Sequence, residues 1–386
     1  MMAIPSDTSV RIVRRISEID RAEWARIFPP TPEGYDFYRT IEQTLSRQFK
    51  LLYILIYEGA TLQCLAPCFI MEYSLDTTIS GPLKHFLSLI RCFVPRLLSV
   101  RAVICGSPTS DGRIWIADLS RCETLIGAVV GGMHAVALKE NIRMLAFKDF
   151  WGRDAYLMKP LARLGFHRIR SFPFVKLDIR FESFENYLRS LSRATRKDLK
   201  RKFKKVDGKV HIEMEVRNEV DDLLDEVYAL YLQTLKKSDV IFETIPKEFF
   251  REIPRNIPEY AKCFLWRLDG RLVAFVFCLV TEHTLLDKYI GMDYSVAYKY
   301  HLYFITFRDI LRWCIAHGIR RYESPQLGYE PKKRLDFTFI PDFVYVRHAN
   351  CVLNSFIGLA CALLKPENFD PVLRRMIKKL MGTDKS

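Results

Sequence analysis

The sequence predicts an α/β chain of the α+β kind, with two tandem units, each a mixed, mainly antiparallel sheet flanked by helices, and a C-terminal helical tail. Three observations carry this expectation. The first is an internal repeat: Pro160-Leu161-Ala162-Arg163-Leu164-Gly165-Phe166-His167-Arg168-Ile169-Arg170-Ser171-Phe172-Pro173-Phe174-Val175-Lys176 aligns without a gap to the segment from Pro331 to Arg347, matching at Pro, Arg, Leu, Phe, Ile, Phe and Val. Within it Gly165 faces Asp336. A helix ending there needs a residue that tolerates the left-handed conformation, as Gly does freely and Asp more easily than most. The second lies upstream, where helix 119–140 stops at Asn141 before Ile142-Arg143, and helix 302–317 stops at Gly318 before Ile319-Arg320. The third is that each half carries strands joined by tight turns, Glu58-Gly59 in one and Asp269-Gly270 in the other, the mark of an antiparallel meander.

Taken in order, the first half reads as helix 34–47, strands 51–57 and 62–73, an Arg-interrupted stretch 82–101, strand 102–105, helix 119–140, strand 142–149, helix 154–164 and strand 166–179. In the second half Ser183 caps a helix running to Val206, with Phe184, Leu188, Leu191, Thr195, Leu199 and Phe203 stepping by three or four. Asp207-Gly208 ends it, and strand 209–217 alternates Val210, Ile212, Met214 and Val216 on one face. Asn218 caps the next helix. Strands from Cys263 to Leu268, Arg271 to Val280 and Leu285 to Gly291 follow, then helix 302–317, strand 319–325, a helical segment 331–335 and strand 337–347. The expected domains are 1–180, 181–350 and a tail, 351–386.

A chain of 386 residues with 49% hydrophobic content and 13% aromatics buries two ordinary cores and is not a largely disordered polypeptide. The formal charge of +14 points to an anionic partner, whether a phosphate-bearing cosubstrate, nucleic acid or a membrane surface. Ten cysteines show no CxxC pair and no His at zinc spacing, so no metal site is expected, and they read as buried thiols kept reduced in a cytosol. No signal peptide is expected at the N-terminus, and no apolar run is expected to reach membrane-spanning length. Residues 351–364 are apolar and precede Arg374, Arg375, Lys378 and Lys379. They read as a helix packed on the body, with peripheral contact at the inner membrane face as the alternative.

Residues 189–209 carry ten cations, from Arg189 to Lys209, against only Asp198 and Asp207, beside a coherent apolar stripe. Such a helix concentrates phosphate-rich ligands. The runs Leu191-Ser192-Arg193-Ala194-Thr195-Arg196-Lys197, Lys288-Tyr289-Ile290-Gly291-Met292-Asp293-Tyr294 and Gly328-Tyr329-Glu330-Pro331-Lys332-Lys333 resemble the FemAB/CelD-like group of tandem GNAT N-acyltransferases, related to the Fem-type peptidoglycan aminoacyltransferases.

The resemblance implies transfer of an activated acyl group to an amine, with acyl-CoA or another thioester as cosubstrate and no permanently bound cofactor. It implies oxyanion donors at the N–H groups of Ile290 and Gly291. It also implies cosubstrate contacts from Lys299, His301, Arg193, Arg196 and Lys197, although the link 293–300 lacks the glycines of the usual acetyl-CoA loop. Glu323 or Asp293 is the expected base and Tyr329 the expected acid, because an ammonium must lose a proton and the leaving group must gain one. Tyr294, Gln326, Lys332 and Asp149 are the expected substrate contacts. Fem enzymes that use aminoacyl-tRNA often insert a helical hairpin in the second unit, for which this chain leaves no room, so a thioester donor is favoured. The alternative is a non-catalytic tandem module that binds RNA or an anionic membrane through basic helix 183–206.

Overall fold

In a computed structural model of the chain, residues 7–74, 99–151, 154–238, 241–326 and 328–363 are described, together with Arg374. The chain divides into two compact units, Met1–Pro173 with Ile340–Ser386, and Phe174–Phe339.

The first unit opens with β1 (Thr8–Val13), α1 (Arg21–Ile27) and α2 (Tyr35–Leu45), none of which but α2 was anticipated. The hairpin β2 (Lys50–Glu58) and β3 (Thr61–Ser74) follows, then β4 (Ser99–Cys105) and β5 (Trp115–Ile116), which pairs with β3. α3 (Cys122–Lys139) crosses to β6 (Met144–Trp151), which lies parallel to β4. Expected helix 154–164 is broken into α4 (Asp154–Leu157) and α5 (Pro160–Arg163), leading to β7 (His167–Arg170). The helical stretch Leu119–Lys139 is long and apolar enough by length and composition to cross a membrane, contrary to the expectation that no run is. In this fold 56% of its apolar window is buried, and Leu125, Ile126, Val129 and Met133 pack on Ile54, Val103 and Phe147 in the core of the unit.

The second unit starts with β8 (Phe174–Asp178). The helix expected over 183–206 is two: α6 (Phe184–Ser190) and α7 (Arg193–Val206). Each has its own serine cap, Ser183 accepting from the Asn186 amide and Ser192 from the Thr195 amide, so the second cap marks the break. Next come β9 (Ile212–Arg217), α8 (Leu224–Lys236), α9 (Lys247–Asn256), β10 (Ala261–Leu268), β11 (Arg271–Val280), β12 (Thr284–Met292), α10 (Tyr294–Ala297), α11 (Leu302–Ala316), β13 (Arg321–Ser324), α12 (Tyr329–Arg334) and β14 (Thr338–Ile340). The chain then returns to the first unit with β15 (Asp342–His348) and α13 (Cys351–Leu363).

The two sheets have matching orders: β1-β2-β3-β4-β6-β15-β7 and β9-β10-β11-β12-β13-β8-β14. The four residues at the repeat's centre and its upstream helix stops take positive φ: Asn141 (52°), Gly165 (82°), Gly318 (70°) and Asp336 (62°). One feature departs from the expected strands. Strands 166–179 and 337–347 are each two strands, and their second pieces are exchanged. β15, from the second half, lies between β6 and β7, and β8, from the first half, lies between β13 and β14. Pro173 and Pro341 stand at the two breaks, where a residue without an N–H interrupts a ladder.

Candidate active site

In the second unit the parallel pair β12 and β13 is in register over only three positions, Thr284 with Arg321, Leu285 with Tyr322 and Leu286 with Glu323. β12 continues to Met292 against β11 on its other side, while its β13 side has no strand partner beyond Leu286 among the described residues. The register of β12 on β11 also slips: Tyr289 faces Phe277 and Asp287 faces Cys278, leaving Lys288 as an extra residue. A bulge of this kind bends and twists its strand, here at the point where β13 leaves it.

Asp287 sits at that fork and is buried. One carboxylate oxygen accepts from the Tyr322 hydroxyl at 3.3 Å. Burial pushes its pKa up to about 6, against the opposing pull of the Lys332 ammonium and the Tyr322 hydroxyl. Lys332 is likewise buried, its Nζ donating to the Pro325 carbonyl, and burial lowers it to about 8 against the stabilising charge of Asp287. The two titrate as a pair. Tyr303 of α11 also feels the Asp287 charge, which together with burial pushes its phenol up. α12, which carries Lys332, begins at Gly328 with φ 62° and is held at its far end by the buried Tyr187 hydroxyl donating to the Leu335 carbonyl at 2.9 Å.

Backbone geometry separates the two expected oxyanion donors. The Asp293 amide donates to the Val273 carbonyl at 2.8 Å, so alternation turns the Gly291 N–H into the same β11 ladder and the Ile290 N–H away from it. The Met292 amide also turns away and is taken by the Thr234 hydroxyl at 3.1 Å. Ile290 therefore presents the donor on the fork side. Gly291 has a different job: a Cβ there would lie 2.2 Å from the Phe275 ring and 2.7 Å from the backbone of Leu230 and Tyr231, so only glycine lets α8 cross β12 this closely.

The N-terminus of α11 forms the second part of the site. Its cap, His301, is left-handed (φ 53°) and makes no side-chain capping bond, leaving the dipole end of a 15-residue helix without a side-chain acceptor from its cap. Nearby cations act on it. The His301 imidazole is pushed down by burial and then by Lys205 and Lys202. α7 is fixed against α11 by Arg308, which bonds Asp207 at 2.8 Å and lies over the Phe203 ring, and by Lys202 over the Phe304 ring at 4.7 Å.

The sequence-predicted residues distribute unevenly over this frame. Tyr329 and Lys332 share α12, Tyr329 being buried against Phe339. Glu323 is adjacent to Tyr322 on β13, so its side chain lies on the opposite face from the Tyr322–Asp287 contact, 3.7 Å from Arg321. Asp293 does not offer a free carboxylate. One oxygen caps α10 through the Ser295 amide and hydroxyl, the other pairs with Arg271, and although burial raises it, these bonds hold it below the usual carboxylate range. Arg196 is engaged with the Arg189 carbonyl at 3.0 Å, while Arg193 and Lys197 are exposed. The members of the basic helix whose charge lowers the His301 imidazole are instead Lys205, Lys202 and Arg201, opposed by Asp198, with which Lys202 pairs.

Lys299 is exposed over the Tyr300 ring, Tyr294 is half-buried with Lys237 over its ring, and Gln326 is half-buried in the loop after β13. Asp149 belongs to the first unit, where it pairs with Lys148 and accepts from the Ser171 hydroxyl at 2.8 Å. Asp287 was missed because an aspartate in an alternating strand reads as solvent-facing; the bulge and fork that bury it are not local properties. Lys202 was missed among ten similar cations, though its place three residues after Leu199 on the apolar stripe would have singled it out.

Residues 193–333 match the acetyltransferase (GNAT) domain. The second unit is a GNAT-type acyltransferase domain. The chain as a whole has a tandem GNAT fold. It is similar to a tandem GNAT protein from the clavulanic acid biosynthesis pathway (10% identity, 89% of this chain and 99% of that one, TM-score 0.54). It is also similar to FemX (12% identity, 84% and 93%, TM-score 0.52). A third likeness is the C-terminal domain of a putative lysylphosphatidylglycerol synthetase from Agrobacterium fabrum (14% identity, 90% and 97%, TM-score 0.51). No curated protein sequence matches the chain. The GNAT domain and the Fem-like fold imply an acyl donor and an amine acceptor in general terms.

Proposed function

We propose that this GNAT domain is an N-acyltransferase that uses a thioester donor, acyl-CoA or a carrier-protein thioester, and that Asp287 and Lys332 handle its protons. The observation that carries the reading is the fork itself: parallel pairing stops at Leu286, and the next residue is a buried aspartate coupled to a buried lysine. The donor carbonyl accepts from the Ile290 N–H, which stabilises the oxyanion as it forms. The acceptor attacks as a free amine. As the N–C bond forms, the nitrogen gives its proton to the Asp287 carboxylate. The C–S electron pair leaves with sulfur, which takes a proton from the Lys332 ammonium. Proton return from the Asp287 acid to the Lys332 amine resets the pair.

The diphosphate of a CoA donor fits the α11 N-terminus, where Lys202, Lys205 and the backbone N–H groups substitute for the missing loop glycines. A thioester is favoured over aminoacyl-tRNA because α7 passes into β9 through residues 207–211 with no inserted hairpin. The site of action is expected to be cytoplasmic.

The test is a thiol-release assay over a panel of acyl-CoA thioesters and amines, run beside thermal shift. A bound thioester at a hundred times its dissociation constant raises stability by about 2.7 kcal/mol. A thioester that stabilises the protein and releases thiol only with an amine present supports the reading. Stabilisation by RNA with no response to any thioester would replace it with the binding-module alternative.

A further inference from the structure

α13 is amphipathic the wrong way round for a helix packed on a protein. Asn354 and Gly358 face the body, while Ser355 is exposed: Asn354 accepts from the His348 amide and donates to the Gly165 carbonyl at 3.0 Å, and Gly358 lies against the His167 ring, where a Cβ would be 2.5 Å away. Four of its apolar residues face solvent. Val352 is 59% exposed, Leu353 48%, Phe356 64% and Leu359 64%. Val352, Phe356 and Leu359 step by four and three, so they form one stripe. No charged residue interrupts the helix.

We propose that α13 docks the chain on an anionic lipid bilayer, a role outside the acyl-transfer site and independent of it. Length decides the mode of contact. Thirteen residues extend about 20 Å as a helix, short of the roughly 30 Å hydrocarbon core, so α13 lies flat with its stripe in the interface. Charge decides the lipid. Of the strands beneath the helix, Arg347 on β15 and Arg168 on β7 turn to the opposite face of the sheet, over the Phe166 and Phe343 rings, so the charge comes from the tail and from the chain as a whole. Arg374, Arg375, Lys378 and Lys379 follow in sequence, and the whole chain carries +14. Apolar insertion combined with basic residues is the pairing that holds peripheral proteins on anionic membranes.

The experiment is vesicle co-sedimentation of the full chain with phosphatidylcholine alone and with phosphatidylcholine containing phosphatidylglycerol, at low and high salt. The expected result is binding only to the mixed vesicles, weakened by salt, and lowered at least about tenfold in a Val352→Ser/Phe356→Ser/Leu359→Ser variant. These side chains are exposed, so the variant keeps its circular dichroism and thermal midpoint. No binding by the native chain, or equal binding by native chain and folded variant, overturns the proposal. Equal binding to both vesicle types overturns the anionic preference. A self-associated species in sedimentation velocity that the variant abolishes, with no vesicle binding, reassigns the stripe to a second copy of the chain.

Discussion

The two units share a seven-strand order and a parallel pair at the same place in it, yet they treat the space after that pair in opposite ways. In the first unit β4 and β6 stay in register over four positions, Ala102–Cys105 with Met144–Phe147. The chain beyond β4 then folds back onto β6: the Gly112 amide donates to the Asp149 carbonyl at 2.8 Å, and a Cβ on Gly112 would lie 2.2 Å from the Lys148 carbonyl and 2.4 Å from the Phe150 ring. Lys148 is committed to Asp149 and to the Ser110 carbonyl. Cys105 is buried with its thiol pushed well up, and so is poor in thiolate. In the second unit the parallel pair ends after three positions and leaves a coupled acid and base where the first unit has a loop. Topology was kept in both copies, while the proposed chemistry follows the fork that carries Asp287 and Lys332.

The largest expected effect separates the two forks directly. Asp287→Asn and Lys332→Met should each lower kcat by about a hundredfold to ten-thousandfold, and the double variant should be little worse than either, since the pair acts as a unit. Asp149→Asn in the first unit, Glu323→Gln and Asp293→Asn should leave kcat within a few-fold. Full activity in Asp287→Asn, measured by thiol release, would remove the distinction between the units. In the native enzyme, rate should be bell-shaped, both limbs belonging to the coupled pair, in which burial raises the Asp287 carboxyl and lowers the Lys332 ammonium.

Second in size is a difference in pH dependence. Asp342 in the first unit is raised to about 9 by burial, then by Asp149 and Asp111. A raised carboxyl contributes stability that is fully present below its unfolded value and is lost as pH rises through the folded one. The loss therefore runs from about 4 to about 9 at about 1.4 kcal/mol per pH unit and then stops. For Asp287 the same loss is complete near 6. Urea unfolding between pH 7 and 8, above the Asp287 loss and below the opposing gain from the lowered Lys332, should show the slope in the native chain and not in Asp342→Asn. A slope that survives the substitution would show that Asp342 is not the group responsible.

Smaller again are the two crowded glycines. Gly112→Ala and Gly291→Ala should each cost about 1–3 kcal/mol by overpacking, and only Gly291→Ala should also slow turnover, because it pushes α8 off the catalytic strand. The smallest effect tests the repeat. Gly165→Ala should cost about 1 kcal/mol at its positive φ, and Asp336→Gly should be neutral or slightly stabilising. A reversed order in thermal midpoints would mean that the two helix stops are not equivalent.

What could be read from the sequence was what is local. The stops at Asn141, Gly165, Gly318 and Asp336 were legible because left-handed backbone selects Gly, Asn and Asp wherever it occurs, and the Asp269-Gly270 hairpin was legible for the same reason (φ 50° and 82°). The exchange of β8 and β15 was not, since an alternating strand reads the same in either sheet; only Pro173 and Pro341 hinted at a break. Lys332 was found through its motif, but its partner was not, because Asp287 becomes a buried acid only through a bulge and a diverging neighbour. α9 was missed altogether. Its Pro254 reads as a breaker, although it falls in the helix's last turns.

The exchanged strands also bear on how such a chain can evolve. A gene duplicated in tandem is normally free to lose the copy whose site has closed. Here that freedom is gone: deleting residues 1–180 would take β8 from between β13 and β14, and deleting everything after 180 would take β15 from between β6 and β7. Either truncation opens an interior strand edge of the kind that templates aggregation. The first copy is thus held in the gene by the backbone hydrogen bonds it supplies to its descendant, whether or not it retains any chemistry of its own.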